Sequence, residues 1–362
     1  MNKKMLILPL AMACFAAVGF AEGEQQKVAP YDQGHAILDN QFPSGYNHQA
    51  RIDVDGWDVF ITGSFIYWQA IEGGLELGMY NDDPTERWDD YNSVVNMNFS
   101  YKPGFKVALG TQLDHDNWIL SAEYTWLHFA DSKAIVVDDV NFMPGWAFHL
   151  STLDTAAAEW KLRYDIIDLE MSRPYYVGTH LTLKPFGALR GGLIKQKYDF
   201  IGIDLTEIER EEILVTYETY MVEKTWLVGP RVGINCDWMF FDYFRLIGNA
   251  SAALFYQHFK TIGFCVIDID DDEIVSWNAY NTEGQLTPNL QGAIGFGWGS
   301  YFGEKNGWHF DLSALYEVNY LFDQNKMRQE VTRNMISDYV EAYIPAANLM
   351  MHGLTITARV DF

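Results

Sequence analysis

Long segments in which every second residue is apolar constrain the fold of this chain most strongly. The clearest is "GWHFDLSALYEVNYLF", residues 307–322. Successive side chains of a strand point to opposite faces, so a period of two predicts a strand with one apolar and one polar face. The segment is much longer than the ~5–6 residues of a typical soluble strand, whereas a tilted strand needs ~9–11 residues to cross the hydrocarbon of a membrane.

Ten such segments are predicted, joined alternately by short and long connections. They lie near residues 57–71, 94–113, 117–129, 157–171, 178–198, 218–237, 244–260, 286–302, 308–322 and 349–362. The long connections are 72–93, 130–156, 199–217, 261–285 and 323–348. This asymmetry predicts an all-β fold, a transmembrane antiparallel up-and-down β-barrel with short periplasmic turns and long extracellular loops. Ten or twelve strands fit the pattern, and a soluble β-sandwich, with shorter strands, is the alternative.

The N-terminal residues have the pattern of an export signal. Lys3 and Lys4 precede an apolar run from Met5 to Val18, and residues 1–21 are predicted to be a cleaved signal peptide. A lipid-attachment role for Cys14 is the rival interpretation, but the leucine expected three residues upstream is missing. Residues 22–56 are polar and are predicted to form a periplasmic or lumenal extension, with the barrel occupying residues 57–362 of a protein of the Gram-negative outer membrane.

Charge and cysteine content exclude several classes of partner and structure. Removing Lys3 and Lys4 leaves 23 basic against 49 acidic residues, so the mature chain repels nucleic acid. The expected partners are instead outer-membrane lipid, the outer-membrane assembly machinery and small hydrophilic solutes. Assembly into an oligomer is compatible with the sequence. Cys236 and Cys265 form one disulfide or none.

Six segments together resemble a known family. They are "YKPGFKVALG", "DNWILSAEYTWLH", "AEWKLRYDIIDLEM", "LTLKPFGALRGGLI", "VGPRVGINCDW" and "HGLTITARVDF", which occur in this order over most of residues 57–362. They resemble the Legionella-type major outer membrane protein family of pore-forming barrels. The resemblance implies a porin-like role and supplies no catalytic residue.

Charged side chains on the polar faces of the strands are the candidate pore lining. The predicted set is Lys106, Glu123, Lys161, Arg163, Lys184, Arg190, Arg231, Arg245, His309, Asp311, Glu317 and Arg359. Opposite charges facing each other across a lumen order water and constrain solutes, although the same pairs would neutralise one another and block a narrow barrel. If strict alternation is kept along this strand, Asp168 falls on the outward face. This predicts either a bulge or a strand end that has left the lipid.

Three further features are weighed against simpler interpretations. His309, Asp311 and Ser313 have the residue types of a hydrolytic triad, but neighbours on one strand face are ~6.5–7 Å apart, too far for a direct hydrogen bond between base and nucleophile. A dense carboxylate run is predicted to be a solvated acidic loop, with divalent-cation binding as the alternative, and consists of Asp268, Asp270, Asp271, Asp272 and Glu273. The terminal aromatic Phe362 is the predicted membrane-assembly signal.

The sequence therefore predicts an outer-membrane porin that passes small hydrophilic solutes or ions by diffusion through a polar lumen. It predicts no enzymatic activity, cofactor or metal centre. The alternative is a structural or adhesive outer-membrane barrel with a closed lumen and functional surface loops.

Overall fold

The computed structural model describes the chain from residue 58 onward, with interruptions. The described ranges are 58–81, 93–113, 117–136, 141–145, 153–177, 180–208, 211–241, 243–269, 272–302, 308–327, 330–334, 339–343 and 347–362. The predicted signal peptide and N-terminal extension lie outside them. Within these ranges, no helix is long and apolar enough to cross a membrane.

Sixteen strands make up almost all of the described chain. They are β1 (Val59–Glu72), β2 (Gly78–Asn81), β3 (Ser93–Val95), β4 (Tyr101–Gln112), β5 (Ile119–Val136), β6 (Asn141–Pro144), β7 (Thr155–Ser172), β8 (Tyr175–Val177), β9 (Leu181–Ile208), β10 (Glu211–Met239), β11 (Phe244–Ile269), β12 (Asp272–Phe302), β13 (Trp308–Asn325), β14 (Glu330–Asn334), β15 (Tyr339–Tyr343) and β16 (Ala347–Asp361).

Ten of these strands form a closed antiparallel barrel. Its order is β1, β4, β5, β7, β9, β10, β11, β12, β13 and β16, and β16 pairs with β1 to close the ring. The Phe362 amide donates to the Val59 carbonyl at 2.9 Å and completes the seam. The barrel confirms the predicted fold class, and each of the ten predicted strands overlaps one barrel strand.

The connections differ from the prediction at one end of the barrel. Asn117 adopts a left-handed backbone (φ 55°) in the tight β4–β5 turn, as expected of a short periplasmic join. The predicted long loops 199–217 and 261–285 were wrong, because β9 and β10 stay paired to Ile208 and Glu211, and β11 and β12 to Ile269 and Asp272. Both segments therefore continue as paired hairpins past the predicted strand ends.

The outer surface near the short turns is apolar. Its outward side chains include the strongly exposed Ile167, Leu169, Leu189, Leu193, Val232, Leu254, Ile294, Phe296 and Leu312. Soluble proteins rarely expose a contiguous apolar patch of more than a few hundred square ångströms. This band is therefore the surface that faces the hydrocarbon, and the inward positions at the same level carry the charged and polar side chains.

On β7, the two faces exchange polarity towards the extracellular end. On β7 the inward residues are Trp160, Leu162 and Tyr164, all buried, while Lys161 and Arg163 point outward. The pairing of β7 with β5 and β9 runs without a register shift through this level. The predicted bulge is therefore absent from β7.

The inward apolar residues form a core that fills the extracellular half of the barrel. It includes Trp68, Leu127, Trp160, Leu162, Ile194, Tyr198, Phe200, Leu227, Phe255, Leu321 and Met351. The three-stranded sheet of β2, β3 and β6 belongs to the extracellular connections, and Leu77 and Phe142 from this region join the same core. Residues 324–327, at and beyond the end of β13, are also buried, and Met327 packs into this core.

Candidate functional site: the barrel lumen

The membrane half of the lumen contains a cavity of about 270 Å³ with charged walls. Seven of the predicted pore-lining residues border it: Lys106, Glu123, Lys184, Arg190, Arg231, Glu317 and Arg359. These residues come from β4, β5, β9, β10, β13 and β16, so the charges surround the cavity on nearly every side. Their role in solute passage remains a prediction.

Asp168 anchors the densest ion-pair group on the cavity wall. Arg190 binds it with two nearly parallel hydrogen bonds, Nε to Oδ1 at 2.7 Å and Nη2 to Oδ2 at 2.8 Å. Arg231 reaches the same carboxylate at 3.4 Å and also donates to Ser251 at 3.1 Å. Such a fork fixes both the position and the orientation of each side chain.

The inward position of Asp168 corrects the sequence-based assignment. Alternation in "WKLRYD" predicts that the side chains of Lys161 and Arg163 point into the lumen. Both point outward, because this stretch lies above the apolar band, where water is outside and the apolar core is inside. Nearer the periplasmic end, the outward residues Leu169 and Met171 are apolar and face the lipid. Because side chains alternate, Asp168 and Glu170 point into the lumen.

A second ion pair crosses the cavity. Lys106 on β4 donates to Glu317 on β13 at 2.7 Å, and its ammonium lies 4.8 Å from the centre of the Trp68 ring. Trp68 in turn donates to Thr355 at 3.1 Å. The lysine is therefore held by a carboxylate and an aromatic face, a geometry that restrains its long side chain.

Another layer of paired charges lies towards the periplasmic end of the lumen. Arg245 contacts Asp311 at 2.6 Å and Asp237 at 3.4 Å. Asp361 pairs with His309 at 3.1 Å and with Arg359 at 2.6 Å. Arg245, His309 and Asp311 are buried, with at most 1% of their surface exposed, so they pack against other residues and do not border open solvent.

Two buried glutamates missed by the sequence analysis lie above the cavity. Burial raises the pKa of Glu223 to about 7. Hydrogen bonds from the Lys326 amide, Gln196 and Thr225 favour the charged form and oppose this rise. Burial, and then the nearby Glu223, raise the pKa of Glu72 well above its usual range. On β10 the outward apolar band runs from Trp238 to Trp226, so Glu223 lies beyond the membrane-spanning segment.

The remaining predicted sites are only partly described. Asp268 ends the described part of β11, Asp270 and Asp271 lie outside the described residues, and Asp272 and Glu273 begin β12. Among the described residues, no group of three or more His, Cys, Asp or Glu side chains is arranged to hold a metal ion. No disulfide joins Cys236 to Cys265.

Comparison with known proteins identifies a family for most of the chain. Residues 53–362 match the family model described as "Legionella pneumophila major outer membrane protein precursor". No curated protein sequence matches the chain.

Several solved outer-membrane proteins share low similarity. The outer membrane protease OmpT from Escherichia coli is 9% identical, with 86% of this chain and 98% of that chain covered and a TM-score of 0.40. A Pseudomonas aeruginosa FadL homologue is 7% identical (84% and 89% covered, TM-score 0.25), and so is the Pseudomonas putida toluene transporter TodX (84% and 88%, TM-score 0.22).

Proposed function

The chain belongs to the Legionella major outer membrane protein family, and we propose that it serves as a surface barrel with a closed lumen. In this role the membrane-spanning part anchors an extracellular β-structure at the cell surface. The observation that carries the proposal is the apolar core that fills the lumen beyond the membrane. This favours the alternative function from the sequence analysis over the diffusion pore.

The core supports closure because buried side chains from several barrel strands belong to one apolar cluster. Trp160 on β7, Tyr198 on β9 and Leu127 on β5 have no exposed surface, and Phe255 on β11 and Met351 on β16 have at most 1%. Protein interiors are packed as densely as organic crystals, so a fully buried layer leaves no continuous path for a hydrated solute.

The charged cavity favours a second function, diffusion of ions or small hydrophilic solutes. A polar space with both signs of charge lies within the membrane half, as a narrow selective channel requires. For this function, the apolar core would have to move aside. Ten strands also enclose a narrower space than the 16–18 strands of wide aqueous porins.

We assign no catalytic role to the His309, Asp311 and Ser313 group. His309 pairs with Asp361, Asp311 pairs with Arg245, and all three group members have at most 5% of their surface exposed. A substrate would have no access to His309 and Asp311, and the expected absence of enzymatic activity is kept as part of this proposal.

Conductance of the refolded protein in planar bilayers tests the closed lumen. We expect no stable single-channel steps for the wild type, and steps for Trp160→Ala/Tyr198→Ala, which removes two fully buried rings from the core. The matched control is Trp226→Ala/Tyr256→Ala, an outward ring pair 5.6 Å apart that should behave like the wild type. Stable wild-type conductance would contradict closure and support the diffusion pore.

A further inference from the structure

Four basic residues form a line on the outer surface of the barrel. Arg163 on β7 lies directly opposite Lys195 on β9, Lys195 opposite Lys224 on β10, and Lys224 opposite Lys260 on β11. All four side chains point outward. Directly opposite residues on one face of an antiparallel pair have Cβ atoms ~4.5–5.5 Å apart, and like charges in this arrangement are destabilising.

The line lies at the upper border of the apolar band. On β9, Lys195 is the first outward residue after the exposed Leu193, and on β10, Lys224 is the first after Trp226. The Trp226 ring lies 5.6 Å from that of Tyr256, and such rings prefer the level of the lipid headgroups. The four cations are therefore placed where hydrocarbon gives way to the headgroups of the outer leaflet.

Three of the cations have no counter-ion among the residues that the structure describes. Arg163, Lys195 and Lys224 form no ion pair with any residue in the described part of the chain. Neighbouring charged residues, in contrast, have partners within the protein. Lys161 pairs with Glu159 at 2.6 Å, and Asp165 accepts hydrogen bonds from Tyr124 and His128.

The pKa of Lys195 is consistent with repulsion among these cations. Partial burial, followed by the neighbouring Lys197, Lys224 and Arg163, lowers the pKa of its ammonium. The chain as a whole carries a net charge of −24, so this concentration of positive charge runs against its composition. An anion held between the side chains would remove their mutual repulsion.

We propose that Arg163, Lys195 and Lys224 bind the phosphate groups of a phosphorylated lipid headgroup in the outer leaflet. Arginine binds phosphate through a planar fork of donors and lysine through a compact point charge, and both bonds are charge-assisted. The apolar band directly below the line supplies the surface for the acyl chains of the same lipid. The site lies on the outer wall, so it does not depend on whether the lumen conducts.

Native mass spectrometry of the refolded full chain in neutral detergent, titrated with bis-phosphorylated lipid A, tests the site. The wild type should retain lipid A, and Arg163→Gln/Lys195→Gln/Lys224→Gln should weaken retention at least tenfold. The charge-conserving Arg163→Lys/Lys195→Arg/Lys224→Arg should stay within about threefold of the wild type. Lys161→Gln, which removes a cation already paired with Glu159, is the single-site control.

Two further probes identify the part of the ligand that is recognised. Lipid A stripped of phosphate should bind the wild type no better than the glutamine variant, and millimolar inorganic phosphate should not displace the intact lipid. Equal retention by the wild type and the triple glutamine variant would overturn the proposal. Displacement by inorganic phosphate alone would also overturn it, since the site would then select a free anion. Heat-modifiable migration checks that each variant is folded, and Lys195→Gln alone replaces any triple variant that is not.

Discussion

The two ends of β7 carry opposite patterns on a single uninterrupted strand. Towards the periplasm, Asp168 faces the lumen and Leu169 faces outward, exposed by 52%. Towards the cell exterior, Trp160 faces the lumen with no exposure, and Lys161 faces outward. The pairing with both neighbouring strands keeps the same register from one end to the other.

The difference between the two ends follows from the solvent outside the wall. Where lipid surrounds the barrel, apolar side chains belong outside, and polar ones must satisfy one another within. Where water surrounds it, the same wall obeys the ordinary rule of soluble proteins and buries apolar groups inside. One barrel therefore contains a membrane anchor with a polar interior and an extracellular β-structure with an apolar core.

The largest expected effect comes from breaking the ion pairs inside the membrane half. Asp168→Ala leaves the buried Arg190 without its carboxylate, and removal of one partner of a buried pair typically costs about 3–5 kcal/mol. Asp165→Ala, on the same strand but outward and partly exposed, should cost about 0–1 kcal/mol. Urea unfolding of the two variants in lipid vesicles compares these costs, and similar values would show that the facing of β7 is misassigned.

A charge on the outer wall should be costly in one region and tolerated in the other. Ala122→Arg, in the middle of the apolar band of β5, should destabilise the barrel by about 2–4 kcal/mol. Ser132→Arg lies on the same face of the same strand but beyond the band, so its effect should stay within about 0.5 kcal/mol. The same unfolding assay measures both costs. Equal destabilisation by the two substitutions would show that the edge of the membrane does not lie between these positions.

The smallest predicted effect is a pH dependence of the extracellular core. The pKa of Glu223 is raised to about 7 in the folded state, so the unfolded chain loses this proton first and stability falls as pH rises from about 4.5 to 7. Glu223→Gln should make this slope shallower without removing it, because the pKa of the neighbouring Glu72 is raised as well. Unfolding midpoints at pH 5 and pH 7 measure the slope, and an unchanged slope in the variant would rule out Glu223 as its source.

The sequence predicted the fold well, because the period of two persists in every barrel strand. Alternation places Lys106 and Arg190 on the inner face, where both border the cavity, and their role as a pore lining stays a prediction. The same reasoning failed on Lys161 and Arg163, because alternation alone does not reveal which solvent lies outside a strand. The paired extensions of β9 to β12 were interpreted as loops because they contain dense acidic runs, although their backbones stay paired.

The exchange of faces along β7 is tested most directly by the environment of spin labels on its outward side. Single cysteines at Lys161, Arg163, Ile167, Leu169 and Met171, in a cysteine-free background reconstituted in vesicles, would carry nitroxide labels for accessibility measurements. Labels at 167, 169 and 171 should be relaxed mainly by oxygen, which concentrates in lipid, and labels at 161 and 163 mainly by a water-soluble nickel complex. Oxygen-dominated relaxation at all five positions would place the whole strand in the membrane and contradict the two-region barrel.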